Sequence, residues 1–96
     1  MEAIAFAWDE RKDRANQRKH AVSFKEAATA FADENARLQH DPDHSQEEDR
    51  FLLLGFSAQL RLLVVAHAYR REGKQIRIVS ARKATRNEHK QYGQFL

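Results

Sequence analysis

The apolar and β-branched residues of the chain are concentrated in its second half, where two runs alternate in the manner of β-strands. The runs cover residues 61–69 and 74–83, and Gly73 lies in the polar segment between them, so the pattern predicts a β-hairpin. Because side chains alternate between the two faces of a strand, one face of the first strand is predicted to carry Arg61, Leu63, Val65, His67 and Tyr69. In the second strand the same alternation predicts Ile76, Ile78 and Ser80 opposite Arg77, Val79 and Ala81. Each strand should therefore have one aliphatic face and one face with cationic or titratable groups, which is the candidate functional face.

The rest of the chain predicts three helices and three more strands. Short strands are indicated at residues 4–8 and 36–40, and an interior strand at residues 50–57. Asp9 is a suitable N-cap for a helix that ends near His20. Capping-box spacings at Ser23 and Glu26, and again at Thr85 and Glu88, predict the starts of a second helix and of a last helix over residues 85–96. The order β-α-α-β-β-β-β-α predicts an α+β fold, a small antiparallel sheet with two N-terminal helices and one C-terminal helix.

Length and composition narrow the class of protein. Ninety-six residues fit one small domain, which we expect to cover residues 1–96. The absence of cysteine excludes disulfides and thiolate chemistry. No apolar run approaches the roughly 20 residues of a membrane span, and the first eight residues lack the basic start of a secretion signal. We therefore expect a soluble cytoplasmic protein without a membrane partner.

The charge is distributed unevenly along the chain. Residues 1–49 contain seven Lys and Arg against twelve Asp and Glu, a net charge of −5, whereas residues 50–96 contain ten against two, a net charge of +8. The hairpin and the last helix thus carry nearly all of the positive field, which favours a polyanionic partner such as nucleic acid. The alternative is that these cations form solvated faces that keep the protein in solution.

Two further segments invite a functional interpretation, and each has a structural alternative. Trp8 could stack on a base, but an isolated tryptophan at a strand end more often anchors a core. The acidic loop of residues 41–49 and the residue before it contain types that bind metals, namely His40, Asp41, Asp43 and His44. Their spacing matches no closed metal site, and local hydrogen bonding explains a turn rich in Asp, Pro and Ser. We therefore expect neither metal nor cofactor.

Separated positions along nearly the whole chain resemble the BrnT-type toxins of bacterial type II toxin–antitoxin systems. In the first half the matching positions are Trp8, Asp9, Lys12, Asn16, Lys19, His20, Val22, Phe24, Glu26, Ala27, Asp43, His44, Ser45 and Glu48. In the second half they are Arg50, Gly55, Ser57, 61–65, His67, 76–78, Ser80, Ala81, Arg82, Ala84, Thr85, Glu88 and Tyr92. Ala21 and Leu60 stand where the family commonly has glycine.

The resemblance implies a fold like that of the RelE-type ribonuclease toxins and an endoribonuclease that needs no metal, cleaves RNA such as mRNA, and inhibits translation. It also implies a cognate BrnA-like antitoxin that resembles ribbon-helix-helix DNA-binding proteins. Promoter DNA would then be bound only through the antitoxin.

Metal-free RNA cleavage uses the substrate's own 2′-hydroxyl as nucleophile, so the protein must move protons and stabilise charge on the phosphate. The candidate catalytic residues are His67, Arg77, Arg82 and Glu88. The candidate RNA-binding residues are Lys12, Lys19, Arg61, Lys83, Arg86 and Tyr92. His67 is a mid-strand imidazole, and the planar fork of Arg82 suits phosphate oxygens.

Each of these assignments has a structural alternative. His67 could be a half-buried histidine of the sheet, Glu88 a capping residue, and Tyr92 a residue that closes the core. At the level of the whole protein, the same basic face would also suit a non-catalytic module that binds nucleic acid or docks the antitoxin.

Overall fold

The computed structural model describes residues 4–94, and the elements follow one another in the predicted order. The five strands are β1 (Ala5–Ala7), β2 (Arg37–His40), β3 (Phe51–Phe56), β4 (Leu62–Arg70) and β5 (Gln75–Lys83). The three helices are α1 (Glu10–His20), α2 (Phe24–Thr29) and α3 (Arg86–Gly93). The last helix is shorter than predicted, and residues 95 and 96 of the predicted segment lie outside the described residues. No helix within residues 4–94 has the length and apolar character needed to cross a membrane.

The predicted N-caps are confirmed at all three helices, but the two capping boxes differ. Asp9 accepts hydrogen bonds from the backbone of Arg11 and Lys12, and Ser23 accepts one from the backbone N–H of Glu26 at 3.0 Å. At α3 the box is reciprocal, since Thr85 and Glu88 each bond the other's backbone. The box predicted at α2 is wrong in its second half, because the Glu26 carboxylate turns inward to Ser57 and Arg61.

The sheet has the strand order β1-β5-β4-β3-β2. All neighbouring pairs are antiparallel except at the edge, where β1 runs parallel to β5. The α+β class and the element order are thus confirmed, and the parallel edge makes the sheet mixed rather than wholly antiparallel. Because β1 pairs only with residues 75–77, most of the outer edge of β5 has no strand beside it among residues 4–94.

A β-bulge in the hairpin decides which side chains share a face. Ala66 pairs with Ser80, but the next residue, His67, pairs with Ile78, so Val79 is an extra residue in β5. The predicted faces of β5 are therefore wrong beyond this point. Ala81 joins Ile76 and Ile78 in the core instead of opposing them.

We call the face of the sheet covered by α1 and α2 the inner face. Its buried cluster consists of Val22, Phe24, Ala27, Ala30, Leu53, Leu63, Val65, Ile76, Ile78 and Ala81. Trp8 packs against this cluster with its ring edge-on to Phe24, at 6.3 Å between centroids, which confirms the core interpretation of that residue. The face predicted to be functional in β4, with Leu63, Val65 and His67, is thus the packed one.

Among the described residues, four that are not glycine have left-handed backbone conformations, and two of them are the positions where the family commonly has glycine. Ala21 ends α1 at φ 57°, and Leu60 lies in the turn before β4 at φ 62° with an exposed side chain. The other two, Arg71 and Glu72, lie in the hairpin turn. A Cβ atom is disfavoured in this conformation, so the chain carries local strain at each position.

Replacing Leu60 by glycine should stabilise the protein, because the exposed leucine contributes little packing and glycine adopts this backbone without strain. We expect Leu60→Gly to raise the free energy of unfolding by about 0.5–1 kcal/mol, or the melting temperature by roughly 2–8 °C. Leu60→Ala, which keeps the Cβ atom, is the matched control and should change stability little. A glycine variant no more stable than the alanine variant in thermal and urea unfolding would contradict this account.

Candidate functional site

The outer face of the sheet, opposite α1 and α2, is open over much of its width and is bordered by the loop of residues 41–49 and by α3. A cleft of about 430 Å³ crosses its middle, lined by Asp41, His44, Arg50, Leu52, Val64, Ala66, Val79, Ser80 and Arg82. Arg50 also lines a neighbouring cleft with Lys12, Arg70 and Arg77. Leu52 and Val64 line a third beside α3. The three clefts are therefore neighbours on one continuous surface.

Arg82 and Glu88 form a two-point ion pair at the α3 side of this surface. The Nη1 and Nη2 atoms of Arg82 lie 2.7 and 3.0 Å from the two carboxylate oxygens of Glu88. The hydrogen bond from Arg82 lowers the pKa of Glu88 to about 2, against the effect of burial. Glu88 is thus ionised at neutral pH, and its capping bonds to Thr85 fix it at the start of α3. This arrangement orients a guanidinium whose side chain is 41% exposed.

A second group of cations surrounds Glu48, which projects from the loop before β3. Its carboxylate accepts from Nε of Arg50 at 3.2 Å, from Nη2 of Arg70 at 3.1 Å and from Nη2 of Arg77. Burial alone would raise the pKa of Glu48, but the nearby charge of Arg77 and the bond from Arg50 lower it below its usual value. Three guanidinium groups share one carboxylate here, so the group has a net positive charge.

His44 lies on the rim of the middle cleft, which Arg82 also lines. Its Nδ1 atom is 2.9 Å from Oδ2 of Asp41. The ring is largely exposed, whereas the Asp41 side chain is 15% exposed. An accessible imidazole is thus oriented by a carboxylate that is mostly buried.

His67 lies on the other side of the sheet from Arg82. It is fully buried, and its ring packs against those of Phe31, Phe51 and Tyr69. Nδ1 donates to the backbone oxygen of Val65 at 3.0 Å, and Nε2 lies 3.3 Å from the Tyr69 hydroxyl. Burial lowers the pKa of His67, so the ring is neutral near neutral pH. The expectation that His67 shares a functional face with the arginines is corrected: it is a core histidine in this fold.

Arg61 and Lys83 also belong to the inner side. Arg61 donates through Nε to Oε2 of Glu26 at 2.9 Å, through Nη2 to Oε1 of the same carboxylate, and through Nη2 to the backbone oxygen of Ala21. Glu26 is buried, and the Arg61 bond lowers its pKa. Lys83 pairs in register with Leu63, so it faces the same side. Arg61 therefore connects α2 to the start of β4 through its ion pair with Glu26 and is not a free cation.

Tyr92 is buried at the base of α3. Its hydroxyl donates to Oδ2 of Asp33 at 2.7 Å, and its ring packs edge-on against Phe56 at 5.1 Å between centroids. Burial and the bond to Asp33 raise the pKa of Tyr92 to about 12. Since Asp33 also accepts from the backbone N–H of Phe56, Tyr92 fixes α3 to the end of β3. The structure therefore supports the alternative in which this residue closes the core.

The remaining predicted RNA-binding residues are exposed but are not gathered in one place. Lys12 lines the cleft with Arg70 and Arg77. Lys19 lies in the last turn of the same helix, about two turns away. Arg86 is exposed in the first turn of α3, which follows the end of β5 where Arg82 lies.

Sequence reasoning missed four residues of this surface, namely His44, Glu48, Arg50 and Arg70. The first three were among the positions that resemble the toxin family, which was a signal that could have marked them. Of the candidate metal ligands of the loop, His44 and Asp41 are in contact, but within residues 4–94 no group of three or more His, Asp or Glu side chains could hold an ion. His40 instead pairs with Asp49.

Comparisons with known proteins agree with the resemblance seen in the sequence. Residues 8–88 match the family model described as the ribonuclease toxin, BrnT, of type II toxin-antitoxin system. A crystal structure of the Brucella abortus ribonuclease toxin, BrnT, is similar in fold, with a TM-score of 0.63 and 20% sequence identity. The similarity covers 90% of this chain and 100% of that one. No curated protein sequence matches the chain.

Replacing Glu88 by glutamine should cost stability at neutral pH and not in strong acid. The ionised carboxylate stabilises the fold fully above its ordinary pKa of 4.5, and this contribution is lost as the pH falls towards about 2. The shift corresponds to about 3 kcal/mol, and the exposure of Arg82 reduces the expected cost to about 1–2 kcal/mol. Urea unfolding across this pH range would measure it. Glu34→Gln, at an exposed position, is the control and should have nearly the wild-type free energy of unfolding at every pH. A loss of stability in Glu88→Gln that is as large at pH 2 as at neutral pH would contradict the assignment.

Proposed function

Because the chain belongs to the BrnT family of ribonuclease toxins of type II toxin–antitoxin systems, we propose that it is a metal-independent endoribonuclease that cleaves mRNA on the outer face of its sheet. Cleavage would inhibit translation. The site is built from Arg82 and from the three arginines around Glu48, namely Arg50, Arg70 and Arg77. His67 has no part in it.

The observation that supports this proposal is the convergence of partly exposed arginines on one face of the sheet. Because of the bulge at Val79, Arg77 and Arg82 both face outward. Arg77 lines one cleft, Arg82 lines the neighbouring cleft, and Arg50 lines both. Four arginines of this surface, Arg50, Arg70, Arg77 and Arg82, share two carboxylates. A surplus of oriented guanidinium groups is the arrangement that holds consecutive phosphates of a nucleic acid.

The reaction assigned to this surface uses the nucleophile of the substrate itself. The ribose 2′-oxygen attacks the adjacent phosphorus atom, the bond to O5′ breaks, and the products are a 2′,3′-cyclic phosphate and a 5′-hydroxyl end. Arg82 would contact the reacting phosphate and stabilise the charge that develops on its oxygens. Glu88, ionised and bonded to Arg82 at two points, acts as a positioning residue rather than as a catalytic residue that contacts the substrate.

Metal independence is supported by the chemistry of the side chains that are present. A guanidinium group is always protonated and offers several donors in a fixed plane, so it can neutralise phosphate charge in the way that a metal ion would. The Arg77 Nε atom is buried without a hydrogen-bond partner among the described residues. Because Nε is buried, a phosphate would contact Arg77 through its Nη atoms instead.

The partner implied by the family is an antitoxin, and we assign it the ribbon-helix-helix type expected of a BrnA-like protein. The complex would bind promoter DNA through the antitoxin alone. This part of the proposal rests on the family resemblance, which covers most of the chain.

Replacing Arg82 by alanine should abolish most of the cleavage, and the protein should still fold with a stability cost like that of Glu88→Gln, since both changes break the same ion pair. We expect the rate on a single-stranded RNA, measured in the presence of a chelator, to fall by roughly 10²–10³-fold. Arg82→Lys should recover only part of the activity, because lysine keeps the charge and loses the two-point fork. Arg71→Ala, in the exposed hairpin turn, is the matched control and should cleave at the wild-type rate.

Three results would count against this proposal. If wild-type protein cleaves only when a divalent metal is added, metal independence is wrong. If wild-type protein binds RNA without forming product, the protein is a binding module. If Arg82→Ala cleaves at the rate of Arg71→Ala, Arg82 does not contact the reacting phosphate.

Replacing His67 by asparagine should reduce stability without reducing the chemistry. Asparagine can keep the donor to the Val65 oxygen but leaves part of the aromatic cluster unfilled, so we expect a loss of about 2 kcal/mol in the free energy of unfolding. The rate of RNA cleavage, corrected for the folded fraction measured by circular dichroism, should remain within about twofold of wild type. A stable His67→Asn protein with cleavage reduced 100-fold would return His67 to the catalytic residues.

A further inference from the structure

The loop of residues 41–49 brings an imidazole to the cleft that contains Arg82. His44 and Asp41 line this cleft together with Ser80 and Arg50. Nδ1 of His44 is 2.9 Å from the Asp41 carboxylate, which only accepts hydrogen bonds, so Nδ1 carries the proton in this pair. The other ring nitrogen, Nε2, has no hydrogen-bond partner within residues 4–94 and is free to exchange a proton with a bound molecule.

Asp41 is fixed by its backbone, which leaves its carboxylate to orient the ring. Its N–H donates to the backbone oxygen of Arg50 at 2.8 Å, and its own carbonyl accepts from Oγ of Ser45 at 2.6 Å. The side chain of Asp41 is 15% exposed and that of His44 is 71% exposed. A carboxylate that holds one nitrogen of an accessible imidazole is the arrangement that proteins use to prepare the other nitrogen for proton transfer.

The other polar side chains of this cleft are poorly suited to donate a proton. The guanidinium groups of Arg50 and Arg82 do not release theirs near neutral pH. Ser80 has a neutral hydroxyl, and the Asp41 carboxylate is an acceptor for His44. Glu88, beside Arg82, is ionised, since its pKa is about 2. His67 is buried on the opposite face.

We infer that His44 is the general acid of the RNA cleavage proposed above, with Asp41 as its positioning residue. The inference rests on that proposed function. As the 2′-oxygen forms its bond to phosphorus, its proton passes to solvent water. As the bond from phosphorus to O5′ breaks, O5′ takes the Nε2 proton of the protonated His44 ring. His44 then regains a proton from water, and the charge of the protonated ring is offset by Asp41.

The test uses two RNA oligonucleotides of the same sequence, one natural and one with sulfur in place of the bridging O5′ at the cleaved linkage. A thiolate leaves without protonation, so cleavage of the sulfur substrate does not require a general acid. We expect His44→Ala to cleave the natural RNA at least about 100-fold more slowly than wild type. On the sulfur substrate its rate should stay within about fivefold of wild type.

His40→Ala is the matched control, since His40 precedes the same loop and pairs with Asp49 rather than lining the cleft. It should cleave both substrates at the wild-type rate. Asp41→Asn keeps the backbone bonds of the loop, and we expect a roughly tenfold loss on the natural RNA with no loss on the sulfur substrate.

The failure of this inference differs from the failure of the proposed function. If His44→Ala is folded and cleaves the natural RNA at the wild-type rate, or is slowed equally on both substrates, His44 is not the general acid and the ribonuclease assignment stands. If wild-type protein leaves both RNAs intact in the chelator, the proposed function is overturned and the role of His44 with it.

Discussion

The side-chain amide of Asn16 joins the first helix to the sheet, and the position of both layers depends on it. Its Nδ2 atom donates to the backbone oxygens of Val22 and Ala81, each at 2.8 Å, and its Oδ1 accepts from the N–H of Ala81 at 3.1 Å. Ala81 lies beyond the three residues of β5 that β1 covers, so in the part of the chain that the structure describes its backbone has no neighbouring strand on that side. Asn16 replaces that strand, and without it these three backbone groups would each lack the partner it provides, at a cost of about 1–3 kcal/mol for each buried group. This explains how a helix that is polar on nearly every side is held in place.

Fixing β5 in this way also fixes the two faces of the sheet. The inner face is packed and carries its own buried polar groups, Glu26 with Ser57 and Arg61 on one side and His67 with Tyr69 on the other. The outer face keeps its charged groups in contact with solvent. The bulge at Val79 separates the two sets, because it turns Arg77 and Arg82 to the same side and Ala81 to the core. A regular strand would have put Arg77 and Arg82, five residues apart, on opposite faces.

On the outer face each arginine of the site is bonded to a carboxylate, and for Arg70, Arg77 and Arg82 that carboxylate comes from another element of the fold. Arg50 pairs with Glu48, two residues before it. Glu48 reaches from the loop before β3, and Glu88 from the first turn of α3. Such partners reduce the conformational freedom of long side chains before a substrate binds, which lowers the entropy lost on binding. The loop that supplies Glu48 also supplies His44 and Asp41, so one segment borders both clefts of the proposed RNA path.

The sequence by itself determined the elements and the family. Caps at Asp9, Ser23 and Thr85 and the alternation of the strands are local signals, and they predicted the order of helices and strands because each depends on residues only a few positions apart. Spaced matches to the toxin family indicated the class of protein. Only the tertiary structure decided which candidates share a site. The bulge at Val79, the buried position of His67 and the pairing of Glu48 with Arg77, 29 residues away, all depend on strand register and packing. Those contacts join distant parts of the chain, and no local pattern of residues encodes them.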